Sequence, residues 1–348
     1  MFKDLSIRNF RGIKKSDIEG FEQINLFFGK NNCGKSSLLE AIFLIAGQSN
    51  ASLPVTINNF RNYARFAEND LNINFYKRNT QNKIHISAHE PRHRELEISI
   101  LELEKNEISL KGLNNNNSDA TSNLYGLKSK FRLDEKVYEA TVTLDANDPE
   151  HIATVKKDPA YTENLYARYL PPAYMIQPLV DMFSPIIENK QERYLVNILQ
   201  TIEPGIQDLQ LAGKELMVDV GLPQRLPINF LGDGIRKLLT IILSILSCKN
   251  GILLIDEVDN GFHYSAMPNL WKSILETAQE SNTQIFVTTH NIDSLKGIAK
   301  VLKREEFASF QNHVASFKII KTQEDTVEAV KYDYEQFDYA IQQEMEIR

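Results

Sequence analysis

The chain is short of cysteine, of long apolar runs and of positive charge. Two cysteines in 348 residues cannot build a disulfide framework, so a reduced, cytoplasmic setting is expected. The opening Met1-Phe2-Lys3-Asp4-Leu5 lacks the apolar core of a secretion signal. The longest apolar stretch, Leu238 to Ile255, is broken by Lys249-Asn250-Gly251. It reads as a buried helix, a turn and a buried strand, and it is too short and too broken to span a bilayer. No membrane contact is expected. Lys and Arg number 39 against 46 Asp and Glu, a net charge of −7. That argues against a surface that coats nucleic acid and leaves only a local basic patch open. No internal repeat is visible.

What is present is an ordinary globular composition: 42% apolar and 24% charged residues, which excludes wholesale disorder. The length suits about two compact units, or one large unit with an insertion. Leu5-Ser6-Ile7 alternates, and Ile24-Asn25-Leu26-Phe27-Phe28 is a short apolar run ending at Gly29. Both read as strands. Ser36 to Ala46 carries apolar residues at helical spacing, with Gly47 as C-cap. Between 70 and 145 the pattern alternates. Strands are expected at Leu71–Phe75, Lys83–Ile86, Leu96–Ile100 and Tyr138–Leu144, with a polar loop from Asn114 through Asp119. Helices are expected from 173 to 203, after the breaker Pro171-Pro172. From 216 onward strands and helices alternate, and Ile252–Ile255 and Gln284–Val287 have the continuous apolar character of a parallel sheet covered on both faces.

Gly29-Lys30-Asn31-Asn32-Cys33-Gly34-Lys35-Ser36 fits G-x-x-x-x-G-K-[ST] at every fixed position. An apolar strand precedes it and a helix follows, as phosphate binding by backbone N–H groups and a helix N-terminus requires. Lys35 is expected at the β- and γ-phosphates, the Ser36 hydroxyl at Mg²⁺, and Ser37 among the nucleotide-binding residues of the loop. Cys33 has no second ligand at metal spacing and reads as a tolerated loop residue. Four apolar residues, Ile252–Ile255, deliver Asp256 and Glu257 to the carboxyl edge of the sheet, where open α/β sheets bind ligands. Asp256 suits the Mg²⁺ sphere, and Glu257 suits polarising an attacking water. Ile285-Phe286-Val287-Thr288-Thr289 ends at His290, which would reach the γ-phosphate to sense it or to orient water. Gly232-Asp233-Gly234 opens an apolar helix. It is either an anion-binding helix start or a plain turn with Asp233 as N-cap.

Taken in order, Ile7-Arg8-Asn9-Phe10-Arg11-Gly12, the phosphate loop, an insertion, the glycine turn, the Asp-Glu strand and the terminal His resemble the ABC-type ATPases of the RecF/SMC/OLD group. That group includes stand-alone prokaryotic AAA ATPases linked to defence systems. Asp256-Glu257-Val258-Asp259-Asn260-Gly261-Phe262-His263 resembles the group's E-x-x-x-G-L-H stretch. The resemblance covers about 1–50 and 225–295 and implies an α/β P-loop NTPase with an ABC-type head, a mixed sheet flanked by helices and a β-rich and helical insertion. The implied division is 1–165 for the N-terminal half of the head, 166–210 for a helical insertion and 211–348 for the C-terminal half.

The resemblance further implies ATP and Mg²⁺ as cofactors and a homodimer or higher even oligomer that closes around nucleotide. Gly232, Asp233 and Gly234 of one copy would then cover the γ-phosphate held by the other. Gly232 stands where many relatives carry Ser, which implies slow or partner-dependent hydrolysis. Arg11 lies either near the nucleotide or in a surface ion pair. Gln48 and Gln81 are the candidates for a Q-loop glutamine. The insertion is too short for an SMC-type arm, and the 58 residues after His290 in a chain of 348 are too few for a C-terminal Toprim nuclease. No HNH or clustered metal motif is visible.

The basic runs Lys77-Arg78, Arg92-His93-Arg94, Lys156-Lys157 and Lys300–Arg304 are a nucleic-acid face or, given the net charge, a solvated surface. The leading expectation is an ATPase that controls a separate effector, a nuclease or toxin, in a defence system. The alternatives are a DNA-repair or chromosome-maintenance ATPase that binds DNA itself, and a nucleotide-gated scaffold without hydrolysis.

Overall fold

The computed structural model describes residues 1–61, 63, 68–101, 124–145, 154–172 and 179–343. The chain opens with β1 (Asp4–Phe10), β2 (Ile13–Glu19) and β3 (Ile24–Phe28), then α1 (Lys35–Ala46) and α2 (Leu53–Asn59). Six strands follow: β4 (Ile84–Ala88), β5 (Arg94–Ile100), β6 (Leu124–Leu133), β7 (Lys136–Asp145), β8 (Thr154–Lys157) and β9 (Ala167–Leu170). Helices α3 (Leu179–Glu188) and α4 (Glu192–Gln200) lead to β10 (Asp208–Ala212), β11 (Glu215–Asp219) and β12 (Leu226–Pro227). The C-terminal part alternates α5 (Asp233–Ser247), β13 (Ile252–Ile255), α6 (Met267–Ser281), β14 (Gln284–Thr289) and α7 (Ile292–Leu302), and ends with β15 (Val314–Lys321), β16 (Val327–Tyr332) and α8 (Tyr334–Gln342).

Two compact units result. The first comprises Met1–Phe21, Asn32–Tyr166 and Ile319–Val330. Its sheet runs β2-β1-β4-β5-β6-β7-β8, antiparallel throughout. Alternation makes one face apolar: Leu5 and Ile7 of β1, Ile84 and Ile86 of β4, and Leu96 and Ile98 of β5 are all buried. Helix α1 lies against β1, β4 and β5.

The second unit comprises Glu22–Asn31, Ala167–Lys318 and Lys331–Arg348. Its main sheet has the order β16-β15-β3-β14-β13-β9, parallel from β15 across to β9. Strands β3, β13 and β14 are buried along their whole length, as expected for parallel strands covered on both faces. Ile24, Leu26 and Phe28 join the helical core, while Phe27 turns the other way and packs against Phe286 and Phe317. Helices α6 and α7 approach so closely that a side chain at Gly297 would come within 2.7 Å of the Met267 Cβ. Trp271 is fully buried there, and its indole N–H donates to the Ser294 hydroxyl at 3.2 Å. A smaller antiparallel sheet, β10-β11-β12, packs beside α3 and α4. Among the described residues no helix is long and apolar enough to cross a membrane.

One expected strand is absent. Leu71–Phe75 is 3₁₀ helix from Glu68 to Asn74, with Phe75 in an isolated bridge to Phe10. The Asn74 side chain contributes, because such an amide competes with ladder hydrogen bonds, and a local backbone turn completes it. The Asn74 amide donates to the Leu71 carbonyl at 3.2 Å, and the Phe75 N–H folds back to the Asn72 carbonyl at 3.0 Å. The expected loop from Asn114 to Asp119, and residues 173–178 of the expected helical stretch, lie outside the described residues.

Candidate functional site

In the second unit the parallel register fixes one edge. Phe28 pairs with Thr289, and Ile255 pairs with Val287 and Leu170. Gly29, Asp256 and His290 therefore leave the sheet at its carboxyl ends, side by side.

Asp256 is buried. Its Oδ2 accepts from the Tyr169 hydroxyl at 3.2 Å, and its Oδ1 accepts a short bond from the Thr288 hydroxyl. Two hydroxyl donors suit an ionised carboxylate, an acceptor-only group. Glu257 is partly exposed and sits at φ 54°. This left-handed backbone is uncommon for a non-glycine residue, and such residues concentrate at functional sites. Its Oε1 lies 3.8 Å from Nδ1 of His290, and 37% and 46% of the two side chains face solvent. The Thr289 hydroxyl donates to Asp259 at 2.6 Å and accepts from the Asn291 N–H at 3.0 Å. Asn291 in turn caps α7.

The glycine turn is the start of α5. Gly232 is the N-cap residue, and no side chain caps this end. Asp233 does not cap, contrary to one expectation. It is the first helical residue, and its carboxylate pairs with Arg236 three residues on, the natural helical neighbour. A side chain at Gly234 would sit 3.6 Å from the Gly261 carbonyl. Lys237, one turn on, donates to the Asn260 carbonyl at 2.7 Å. Burial pulls the Lys237 ammonium below its usual range, while Asp233, Asp259 and Glu257 oppose that shift. The first turns of α5 thus lie against the segment that follows Glu257.

The phosphate loop starts at the end of β3. Gly29 (φ 146°), Asn32 (φ 63°) and Gly34 (φ 106°) take left-handed angles, for which glycine carries no Cβ penalty. Lys30 and Asn31 are exposed. In the first unit, Gly34 is the N-cap of α1. No side chain caps that helix, and its first turn holds no acidic residue. A helix start of this kind suits an anion. Lys35 is buried, and its ammonium lies 3.9 Å from the Cys33 sulfur, itself buried in the loop. Ser36 and Ser37 are half-buried on the first turn.

Beside the loop, within the first unit, is a cavity of 450 Å³. Asn32, Gly34 and Ser37 contribute to its wall, together with Arg11, Arg61, Lys77, Arg78, Lys321, Asp325, Phe75 and Tyr76. Arg11 is not a surface ion pair. It lies 2.5 Å from the carboxylate of Glu40, whose side chain is 1% exposed, and donates to Asn58 at 2.9 Å. Arg61 reaches the same carboxylate at 2.6 Å, so two guanidiniums share one negative charge. Hydrogen bonds from the Tyr76 hydroxyl and the Lys321 ammonium hold the Asp325 carboxyl down to about 2. The cavity wall therefore combines excess positive charge with aromatic surface.

Sequence reasoning passed over Thr288, Thr289, Tyr169, Glu40, Asn58 and Arg61. Only the threonines carried a signal, two hydroxyls at a strand end immediately before His290. Gln48 is buried, while Gln81 is exposed and its backbone N–H closes a turn with Asn79. Among the basic runs, Arg92, His93 and Arg94 each face a different carboxylate: Asp134, Glu95 and Glu163.

Residues 24–295 match the model of the family described as "AAA domain, putative AbiEii toxin, Type IV TA system". The chain belongs to that family. This AAA-family chain is 24% identical over 341 residues to an "ATP/GTP phosphatase" of Helicobacter pylori, covering 88% of the chain and 90% of that protein. A stretch of 42 residues, 12% of the chain, is 48% identical to the DNA replication and repair protein RecF of Lactobacillus acidophilus. The fold is shared with a crystallised SMC head bound to the C-winged helix domain of ScpA, at a TM-score of 0.50 and 12% identity, over 95% of this chain and 97% of that one. The AAA-family chain thus has the P-loop fold of the ABC-type ATPases and is similar to the RecF/SMC group. No group of three or more His, Cys, Asp or Glu side chains among its described residues could hold a metal by itself.

Proposed function

We propose that the chain is a Mg²⁺-dependent ATPase that closes with a second copy around nucleotide and so holds or releases a separate effector, a nuclease or toxin, in a prokaryotic defence system. The observation that carries the ATPase reading is the shared carboxyl edge of β3, β13 and β14, which presents Gly29, Asp256, Glu257 and His290 together. The family's description as a putative AbiEii toxin of a type IV TA system supports the defence setting.

In this reading the loop from Gly29 to Ser37 wraps the phosphates. Its uncapped helix start and Lys35 neutralise them. Mg²⁺ would supply charge neutralisation and a template for the phosphates. Asp256 fits such an ion by itself, being held as an oriented acceptor by two hydroxyls, and the Ser36 hydroxyl is the second donor that the phosphate-loop reading implies. Mg²⁺ ordinarily takes one or two protein groups plus phosphates and water rather than an all-protein cage, in keeping with the donor set here. Glu257 accepts the proton of the attacking water, and His290, 3.8 Å away, orients that water and contacts the γ-phosphate. Arg11 and the aromatic wall of the 450 Å³ cavity receive the nucleoside end. Gly232, Asp233 and Gly234 serve the nucleotide of the partner copy through backbone N–H groups alone, which makes hydrolysis slow. ATP is favoured by the resemblance, and the Helicobacter relative's name adds GTP as the competitor to test.

The alternative of direct DNA binding has less support. Arg92 and Arg94 are each committed to a carboxylate, and neutralised cations release few counterions. The test is a pull-down of tagged Glu257→Gln from its native cells with ATP and Mg²⁺. A stoichiometric nuclease or toxin-like protein supports the effector reading. DNA without a protein partner supports the repair reading instead.

A further inference from the structure

Thr288 lies at the end of β14 with its side chain fully buried. One hydroxyl does two things there. It donates to Oδ1 of Asp256, and it accepts the backbone N–H of Glu257 at 2.8 Å. Its own carbonyl accepts the Val258 N–H at 3.2 Å. Three consecutive residues, Asp256, Glu257 and Val258, are therefore tied to one residue of the neighbouring strand. The chain turns between them: Glu257 has left-handed backbone angles, with φ 54°, which its side chain disfavours. Without a partner the turn would relax, and the Glu257 N–H would lose its acceptor.

We propose that Thr288 is a positioning residue for nucleotide hydrolysis, fixing the rotamer of Asp256 and the backbone turn that aims Glu257 at His290. The proposal rests on the ATPase reading above. Thr288 is fully buried, away from solvent. It acts through its two neighbours, in the way that hydrogen-bond partners of metal ligands orient them and tune their affinity. The adjacent Thr289 holds a different pair, Asp259 and the start of α7. The two threonines therefore divide the segment after β13 between them: Thr288 ties Asp256, Glu257 and Val258, and Thr289 ties Asp259. A threonine rather than a serine suits the position, because its methyl group fills buried space while the hydroxyl is aimed.

Two variants separate the hydroxyl from the packing. Thr288→Val keeps the shape and removes the hydroxyl, and Thr288→Ser keeps the hydroxyl. The full-length chain is compared with both by three readouts: exchange of the Glu257 amide hydrogen without nucleotide, affinity for ATP without metal, and Mn²⁺ affinity of the ATP complex by electron paramagnetic resonance. In Thr288→Val the Glu257 amide is expected to exchange faster, metal-free ATP affinity to stay at the wild-type value, and Mn²⁺ to bind roughly 10- to 100-fold more weakly. Turnover should fall through kcat rather than KM. Thr288→Ser is expected to restore Mn²⁺ binding and kcat. Unchanged Glu257 exchange in folded Thr288→Val, or faster exchange with wild-type Mn²⁺ affinity, overturns the proposal. Wild-type protein that binds no ATP overturns the ATPase reading instead, and the amide exchange still decides whether Thr288 holds the turn.

Discussion

Glu257 and His290, thirty-three positions apart in sequence, face each other at 3.8 Å from the ends of two neighbouring parallel strands. The relationship follows from register. Ile255 pairs with Val287, so both strands release their polar residues at the same edge. In the proposed ATPase reading, Glu257 as base and the His290 imidazole would share one water. Replacing Glu257 by Gln is expected to lower kcat by about 10²- to 10⁴-fold, the usual contribution of a general base, with ATP affinity retained. Stopped-flow binding and single-turnover hydrolysis measure the two separately. Wild-type turnover in the variant would remove Glu257 from the chemistry.

Lys35 is buried at the start of α1. Lys35→Ala removes one charge-assisted bond to phosphate, worth about 2 kcal/mol, which corresponds to roughly 30-fold weaker ATP binding. Isothermal titration with ATP checks it. Unchanged affinity would mean that the loop does not hold phosphate.

At Gly232 a Cβ would meet nothing within 4 Å, so Gly232→Ser introduces a hydroxyl without strain. Serine is a better N-cap than glycine, by a few tenths of a kcal/mol, so α5 should not suffer. If the missing hydroxyl is what slows hydrolysis, steady-state turnover should rise about tenfold, the worth of one hydrogen bond to a charged group. No gain would mean that the backbone N–H groups already suffice.

Arg94 and Glu163 form an ion pair whose side chains are 8% and 14% exposed, and Arg94 also donates to the Ile45 and Ala46 carbonyls at the end of α1. Arg94→Met strands the carboxylate and is expected to cost about 3–5 kcal/mol, measured by urea unfolding. Burial pushes the Glu163 carboxyl upward, but bonds from Arg94 and Tyr161 outweigh it and hold the group below its ordinary value. A carboxyl held low in the folded state adds stability above its unfolded pKa, and that stability is lost as pH falls through the folded value. The wild type should therefore lose stability below about pH 4.5, the group's ordinary value. Glu163→Gln should lose less over the same acid range.

The sequence displayed most of this site because its chemistry is local. The loop Gly29–Ser36 carries its own spacing, and β13 and β14 end in polar residues where a buried strand must end. The long-range partners were hidden. Glu40 reads as one more helix residue until Arg11 and Arg61 converge on it, and nothing in the spacing announces three segments meeting at one carboxylate. Tyr169 reaches Asp256 only because β9 lies next to β13. Leu71–Phe75 failed for a different reason. Its alternation was that of a strand, but the Asn74 amide took the Leu71 carbonyl and a backbone turn took the Asn72 carbonyl. Asp233 had the chemistry of a cap and lost to the adjacent Arg236.

ATP-driven closure of two copies is tested most directly by the mass of Glu257→Gln in solution with ATP and Mg²⁺, by light scattering behind size exclusion. The prediction is a dimer with ATP that returns to monomer when Lys35→Ala is added to the same chain. A monomer in the presence of saturating ATP would contradict it.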